Sequence, residues 1–200
     1  MFDIVSVVES AGYLGIAAII FAETGLFFGF FLPGDSLLMT AGILASQGLL
    51  NIWIVVALTT PAAILGDSVG YWSGKKAGPR VFNRPDSFWF SHARVMDAKR
   101  FFEKYGALSL VLARFIPFVR TFTPIVAGVA EMRYPVFLTY NILGAFLWAF
   151  ILPFAGLFIG NVVPNIDRFL LPLIAAIVAL SVAPFMKQAI QAWRAHKKAP

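Results

Sequence analysis

The stretch ALSLVLARFIPFVRTFTPIVAGVA, residues 107–130, decides the fold. Two arginines, Arg114 and Arg120, lie among its apolar residues, and Pro117 and Pro124 interrupt it. A cation at membrane depth is costly unless it faces a partner or a water-filled cavity. Non-helical backbone is tolerated at that depth only where it is buried in protein or lines a water-filled cavity. The stretch therefore predicts a broken segment that presents its arginines to a polar cavity inside a membrane.

The composition of the whole chain is that of a membrane protein. Of its 200 residues, 60% are hydrophobic and 13% are charged, and the mean hydropathy is +0.81. Soluble domains carry about twice that share of charged residues. The net charge of +6 predicts membrane topology and attraction to anionic headgroups, and we expect no nucleic-acid partner. The lack of cysteine excludes a disulfide framework, a thiol nucleophile and a cysteine metal site.

Basic residues on both sides of the stretch constrain its path. They cluster in the connection 75–104 and in the tail 187–198, and both clusters should lie on the cytoplasmic face. Two spans, at 136–160 and 169–186, return the chain to that face only if 107–130 enters and leaves the membrane on one side. Residues 107–130 are therefore predicted to form a re-entrant hairpin.

The first half of the chain has the same layout. The apolar segment 11–46 carries Glu23 and is broken at Pro33, Gly34 and Asp35, which predicts another hairpin. An uninterrupted span follows at 51–73.

An internal repeat relates the two halves. Three pairs of glycines, Gly42 with Gly128, Gly70 with Gly156 and Gly74 with Gly160, are each 86 residues apart. The sequence therefore predicts an all-α membrane protein with an inverted repeat of two re-entrant hairpins, each followed by a transmembrane helix. The single domain 1–200 divides into a first repeat at 1–75, a cytoplasmic connection at 76–105 with an amphipathic interfacial helix at 91–105, a second repeat at 106–160, and a last transmembrane helix with a basic tail at 161–200.

Five charged residues are predicted to be embedded: Glu23, Asp35, Asp67, Arg114 and Arg120. Arginine presents a planar fork of donors that matches phosphate oxygens, so a phosphate headgroup suits Arg114 and Arg120. A buried carboxylate can take up and release protons near neutral pH, which makes Glu23, Asp35 and Asp67 candidates for proton coupling or for balancing the charge of the arginines. Alternatively, the charges pair into a buried network that serves fold specificity.

Four motifs resemble the DedA family, also called the SNARE-associated or VTT-domain family. They are ETGLFFGFFLPGDSLL at 23–38, GDSVGYWSGKKAG at 66–78, FFEKYG at 101–106 and ARFIPFVRTFTPIVAG at 113–128. The resemblance covers nearly the whole chain and is specific in the combination of the motifs. It implies a multi-pass bacterial inner-membrane protein that acts in lipid translocation, either of a polyprenyl phosphate such as undecaprenyl phosphate or of phospholipids such as phosphatidylethanolamine, with dependence on the proton motive force.

The resemblance also implies roles for individual residues. The essential acids of the family would be Glu23 and Asp35, and its essential arginines Arg114 and Arg120. Asp67 would orient the arginines, and Tyr71 is expected to anchor the chain at the membrane interface. Most of the remaining aromatic residues are expected to face lipid or to lie in the interfacial belts. Residues expected to have a structural role at the site are Pro33, Gly34, Gly66, Tyr71, Gly74 and Pro117.

Other functions remain open at this point. A lipid phosphatase would need a nucleophile or base, and His92 and His196 stand alone without a motif, so we expect no enzyme and no catalytic residues. A proton or small-ion antiporter could use the same acids, although two fixed positive charges favour an anion. We expect no metal and no cofactor, and the oligomeric state is open.

Overall fold

Helices account for the architecture of the part of the chain that the structure describes. The computed structural model describes residues 4–25, 34–82, 100 and 104–163, and this part of the chain contains six helices and no strands. They are α1 (Ile4–Gly25), α2 (Gly34–Ser46), α3 (Ile52–Phe82), α4 (Leu108–Ala113), α5 (Pro117–Val129) and α6 (Tyr134–Val162). The all-α prediction is confirmed for these residues. The predicted span 169–186, Pro33 and most of the predicted amphipathic helix 91–105 lie outside them.

Among the described helices, two, α3 and α6, are long and apolar enough to cross a bilayer. Their spanning segments, Ile52–Gly78 and Tyr134–Val162, contain nearly all of the predicted spans 51–73 and 136–160. At 1.5 Å per residue, α3 is about 46 Å long and α6 about 44 Å, which exceeds a hydrocarbon core of about 30 Å. The α3 helix continues past its predicted end to Phe82.

The start of α3 is fixed by a side-chain cap. The Asn51 side-chain oxygen accepts a hydrogen bond from the Trp53 backbone N–H at 2.9 Å, which satisfies one of the free donors of the first turn. The backbone N–H of Asn51 donates to the Tyr13 hydroxyl at 2.6 Å. The same residue therefore begins α3 and ties it to α1.

The other helices of the second half are short because proline divides them. Ile116 is extended, with φ −110° and ψ 106°, because a residue that precedes proline avoids the helical conformation. Pro117 then begins α5, where its missing N–H is no loss. The expected break at Pro124 is wrong, since α5 continues through it. Pro124 packs close to Gly70 of α3, and such neighbours let a membrane helix tolerate proline.

The helices pack against one another around separate clusters of buried side chains. The α1 and α5 helices both lie on α3, α2 lies on α6, and α3 and α6 contact each other. The largest side chains in the core are those of Trp148, Tyr71 and Phe137. Large apolar side chains such as Trp53 and Phe158 are instead exposed on the outer surface, as expected of a surface that lipid covers.

Tyr71 belongs to this core, and the expectation that it is an interfacial anchor is wrong. Its side chain is fully buried and stacks on Phe137 with ring centroids 4.7 Å apart. The Tyr71 hydroxyl donates a hydrogen bond to the Met132 carbonyl, which lies just beyond the end of α5. Tyr71 therefore holds α3, α5 and α6 together.

Candidate functional site

The five charged residues that the sequence singled out meet in the interior as two ion-paired groups. In the first group, Arg120 on α5 pairs with Glu23 on α1 and with Asp35 on α2. In the second group, Arg114, in the turn between α4 and α5, pairs with Asp67 on α3. The proline-induced break before α5 places both arginines in the protein interior.

The Arg120 group joins three helices through one guanidinium. Its Nη1 donates to Asp35 Oδ1 at 2.5 Å, and its Nη2 pairs with Glu23 Oε1. The side chains of Arg120 and Glu23 are 7% and 3% exposed, whereas that of Asp35 is 33% exposed. The group is therefore accessible mainly at Asp35. The Arg120 Nε has no hydrogen-bond acceptor among the described residues, so one donor of this guanidinium is unused.

Hydrogen bonds and an ion pair hold the Arg114 group in place. Besides its pairing with Asp67, Arg114 Nη1 donates to the side-chain oxygen of Asn141 at 2.9 Å. The Asn141 amide nitrogen in turn donates to the Ile64 carbonyl at 3.2 Å. Arg114 and Asp67 are both buried. Because α3 and α6 both supply partners, this group fixes the arginine in one position.

Trp148 on α6 lies between the two groups. Its indole N–H donates to Asp35 Oδ1 at 2.8 Å. The centre of its ring lies 4.7 Å from Arg120 Cζ and 5.8 Å from Arg114 Cζ, within the range of cation–π attraction. The Trp148 side chain is 1% exposed. One buried indole thus contacts both guanidiniums and one carboxylate.

A small cavity lies beside both arginines. Its volume is about 20 Å³, and both arginines and Trp148 line it. The remaining polar residues of its wall are Thr24, Asp67, Thr121, Thr123 and Asn141. A water molecule needs about 10–15 Å³ of such space. The cavity therefore has room for about one water and is too small for a phosphate headgroup in this conformation.

Comparison with known proteins identifies the family. The model of the VTT domain matches residues 32–158 of the chain, which include Asp35, Asp67, Arg114 and Arg120. The chain belongs to the DedA (VTT-domain) family. Its relatives include Protein DedA of Escherichia coli (strain K12), 41% identical over 94% of this chain and 86% of the relative. Another is the inner membrane protein YqjA of the same organism, 36% identical over 74% of this chain and 68% of the relative.

A further relative comes from a different bacterium. It is an uncharacterized membrane protein of Mycobacterium leprae, 42% identical over 90% of this chain and 78% of the relative. No solved structure gives a significant match. The names of these relatives and the two apolar spans identify this DedA-family chain as a bacterial membrane protein.

Three of the predicted structural residues, Gly34, Gly66 and Gly74, lie where helices approach each other closely. A Cβ at Gly34 would fall 1.7 Å from Glu23 Oε2, and one at Gly66 would fall 2.0 Å from Thr24 Oγ1. Glycine therefore lets α2 begin beside Glu23 and lets α3 cross α1 closely. Gly74 similarly approaches α5, where a Cβ would lie 2.0 Å from the Ile125 carbonyl oxygen.

Two residues of the DedA-family site were missed in the sequence. Asn141 carried a signal, because it is the one amide side chain in the predicted span 136–160. Trp148 carried none, since it is one of 5 tryptophans among many aromatic residues. Trp148 is an exception to the expectation that most of the remaining aromatic residues face lipid, because it is buried against the arginines.

Proposed function

We propose that this DedA-family protein translocates lipids with a phosphate headgroup across the membrane, and that its substrate is a polyprenyl phosphate such as undecaprenyl phosphate. The observation that carries the proposal is the Arg120 group, in which one buried guanidinium is shared by carboxylates from α1 and α2. A guanidinium fork accepts phosphate in the same planar geometry as carboxylate. A headgroup can therefore exchange with the carboxylates at Arg120.

Asp35 is the carboxylate that the headgroup displaces first. It is the most exposed member of the group, so a lipid phosphate can approach Arg120 from its side. Arg114 also lines the cavity and adds a second positive charge to it. The polyprenyl or acyl tail stays in the bilayer, because only the headgroup needs a polar route. The cavity must widen to admit the headgroup.

Proton uptake balances the charge of the exchange. Three carboxylates and two guanidiniums meet at the site, so one negative charge is already in excess, and an added phosphate would increase that excess in a medium of low dielectric constant. Protonation of Glu23 or Asp35 removes one negative charge and weakens that residue's hold on Arg120. A proton motive force can thus drive headgroup binding, with Asp67 keeping Arg114 in place.

The proposed path of the headgroup uses two opposed re-entrant hairpins. At 1.5 Å per residue, α2 and α5 are each about 20 Å long and α4 about 9 Å, so none of the three crosses a hydrocarbon core of about 30 Å alone. Each of α2 and α5 packs along the long helix of the other repeat. The basic connection and the basic tail would both be cytoplasmic.

A proton or small-ion antiporter is the second candidate. The excess of carboxylates over guanidiniums is the observation that favours it, because embedded carboxylates suit proton and cation relays.

Phosphatidylethanolamine scrambling would use the same arginines for the phosphate and an acid for the ammonium.

Proteoliposomes test these candidates directly. The liposomes contain undecaprenyl phosphate in both leaflets, and a membrane-impermeant phosphatase is added outside. The proposal predicts that the protein raises the fraction of lipid dephosphorylated from about half to nearly all, faster with an imposed pH gradient. Phosphatidylethanolamine is followed in parallel with an impermeant amine reagent. No exchange of either lipid would exclude lipid transport, whereas exchange without any effect of the gradient would exclude only the coupling.

A further inference from the structure

The indole N–H of Trp148 donates to Asp35, the carboxylate that the headgroup displaces in the proposed transport cycle. In the described conformation, Asp35 Oδ1 accepts hydrogen bonds from both Arg120 Nη1 and Trp148 Nε1, at 2.5 Å and 2.8 Å. If a headgroup displaces Asp35, both donors lose this acceptor together. A buried donor without an acceptor is unfavourable. An oxygen of the incoming headgroup is therefore favoured at the position that Oδ1 leaves.

The environment of Trp148 keeps these donors in place. The indole is 1% exposed, and its ring contacts the guanidiniums of Arg114 and Arg120. The attraction of both cations to the ring offsets part of the repulsion between them. The indole also forms part of the cavity wall. These contacts keep the indole N–H in place when Asp35 moves away.

We propose that Trp148 is a headgroup-binding residue, whose indole N–H passes from Asp35 to an oxyanion of the lipid headgroup while its ring holds the two guanidiniums. This inference rests on the proposed function, since it requires a lipid phosphate at the site. A donor in this position would make Trp148 a determinant of specificity for anionic headgroups. A lipid with an uncharged hydroxyl headgroup would gain little from the same donors.

Binding measurements on the full-length protein in nanodiscs test the inference. Farnesyl phosphate is the probe, and farnesol is its uncharged counterpart. Trp148→Phe keeps an aromatic ring and removes the N–H. It should weaken the affinity for farnesyl phosphate about five- to tenfold, the usual effect of one hydrogen bond, with no effect on farnesol. The matched control is Trp53→Phe, at a tryptophan on the outer surface that is 62% exposed, which should bind like wild type.

A second measurement applies even if Trp148→Phe does not fold. Wild-type protein with ¹⁵N-labelled tryptophan gives one indole N–H signal per tryptophan, and phenylalanine at each of the other four positions assigns that of Trp148. Farnesyl phosphate should shift this signal, and farnesol should not.

The outcomes separate this inference from the proposed function. If wild type binds farnesyl phosphate but Trp148→Phe binds it equally well, or the signal of Trp148 does not move, the inference is wrong and the proposed function stands. If wild type binds no farnesyl phosphate at all, both are wrong.

Discussion

Gly42 on α2 and Gly128 on α5 meet their partner helices in the same way. A Cβ at Gly42 would lie 1.9 Å from the carbonyl oxygen of Pro153 on α6, and one at Gly128 would lie 2.0 Å from the carbonyl oxygen of Tyr71 on α3. Both short helices therefore pack with their backbone directly against that of a long helix, as small residues allow in membranes. Two glycines 86 residues apart thus have equivalent contacts.

The glycines on the two long helices, α3 and α6, that make equivalent contacts are not separated by the same number of residues as those on the short helices. Gly156 approaches the carbonyl oxygen of Met39 on α2, and Gly74 approaches that of Ile125 on α5, so that a Cβ at either glycine would lie 2.0 Å from the oxygen. Met39 and Ile125 are again 86 residues apart, but Gly74 and Gly156 are only 82 apart. The sequence pairing of Gly70 with Gly156 is therefore wrong by about one helical turn.

Substitution at these contacts should destabilise the protein. Gly42→Ala would place a methyl group against the α6 backbone, which cannot move as a flexible side chain can, and we expect a loss of about 1–3 kcal/mol. Gly15→Ala is the control, because nothing lies within 4 Å of its Cβ position and alanine favours a helix by about 0.5–1 kcal/mol. Thermal unfolding in detergent measures both. Equal unfolding temperatures for the two variants would contradict the packing.

The Arg114–Asp67 pair should be needed as a pair. Arg114→Met leaves the buried Asp67 carboxylate without its charge partner and should destabilise the protein by about 3–5 kcal/mol. Combining it with Asp67→Leu removes the uncompensated charge, so most of that stability should return. Denaturant unfolding of the two single variants and the double variant gives the coupling energy. Additive losses would show that the two residues do not depend on each other.

The carboxylates of the Arg120 group should control the response to protons. Glu23→Gln and Asp35→Asn imitate the protonated side chains, so each should reduce the acceleration that a pH gradient gives to lipid exchange. Glu131→Gln is the control, because Glu131 is exposed at the turn after α5. Exchange rates in proteoliposomes, with and without the gradient, measure the effect. An unchanged gradient response in both variants would place proton coupling elsewhere.

Tyr71 should contribute stability through its hydroxyl. Tyr71→Phe keeps the stack on Phe137 but leaves the Met132 carbonyl without this donor. We expect a loss of about 1 kcal/mol, measured by thermal unfolding in detergent. No loss would mean that the hydroxyl has no structural role, since the aromatic ring is retained.

The sequence predicted the charged residues of the site but not their partners. Ionisable side chains are rare in apolar segments, so Glu23, Asp67 and Arg120 stood out. Which acid pairs with which arginine depends on the turn between α4 and α5 and on the crossing of α1 and α3, and these are set by packing. Trp148 was missed for a related reason, because its role depends on which face of α6 turns inward.

The two long helices were predicted more reliably than the short ones. Uninterrupted apolar length defines a span by itself. The effect of a proline instead depends on its neighbours. Pro117 begins a new helix after a break, whereas Pro124 remains inside α5 beside Gly70. Sequence alone does not distinguish these two cases.

The exchange of carboxylate for phosphate at Arg120 is the central claim, and one comparison tests it most directly. Arg120→Lys keeps the positive charge and removes the planar fork, whereas Arg133→Lys makes the same change at an exposed arginine before α6. Both are measured for undecaprenyl phosphate exchange in proteoliposomes. We predict that Arg120→Lys slows exchange at least about tenfold, equivalent to about 1.4 kcal/mol, while Arg133→Lys matches wild type. Wild-type exchange rates in Arg120→Lys would contradict the claim.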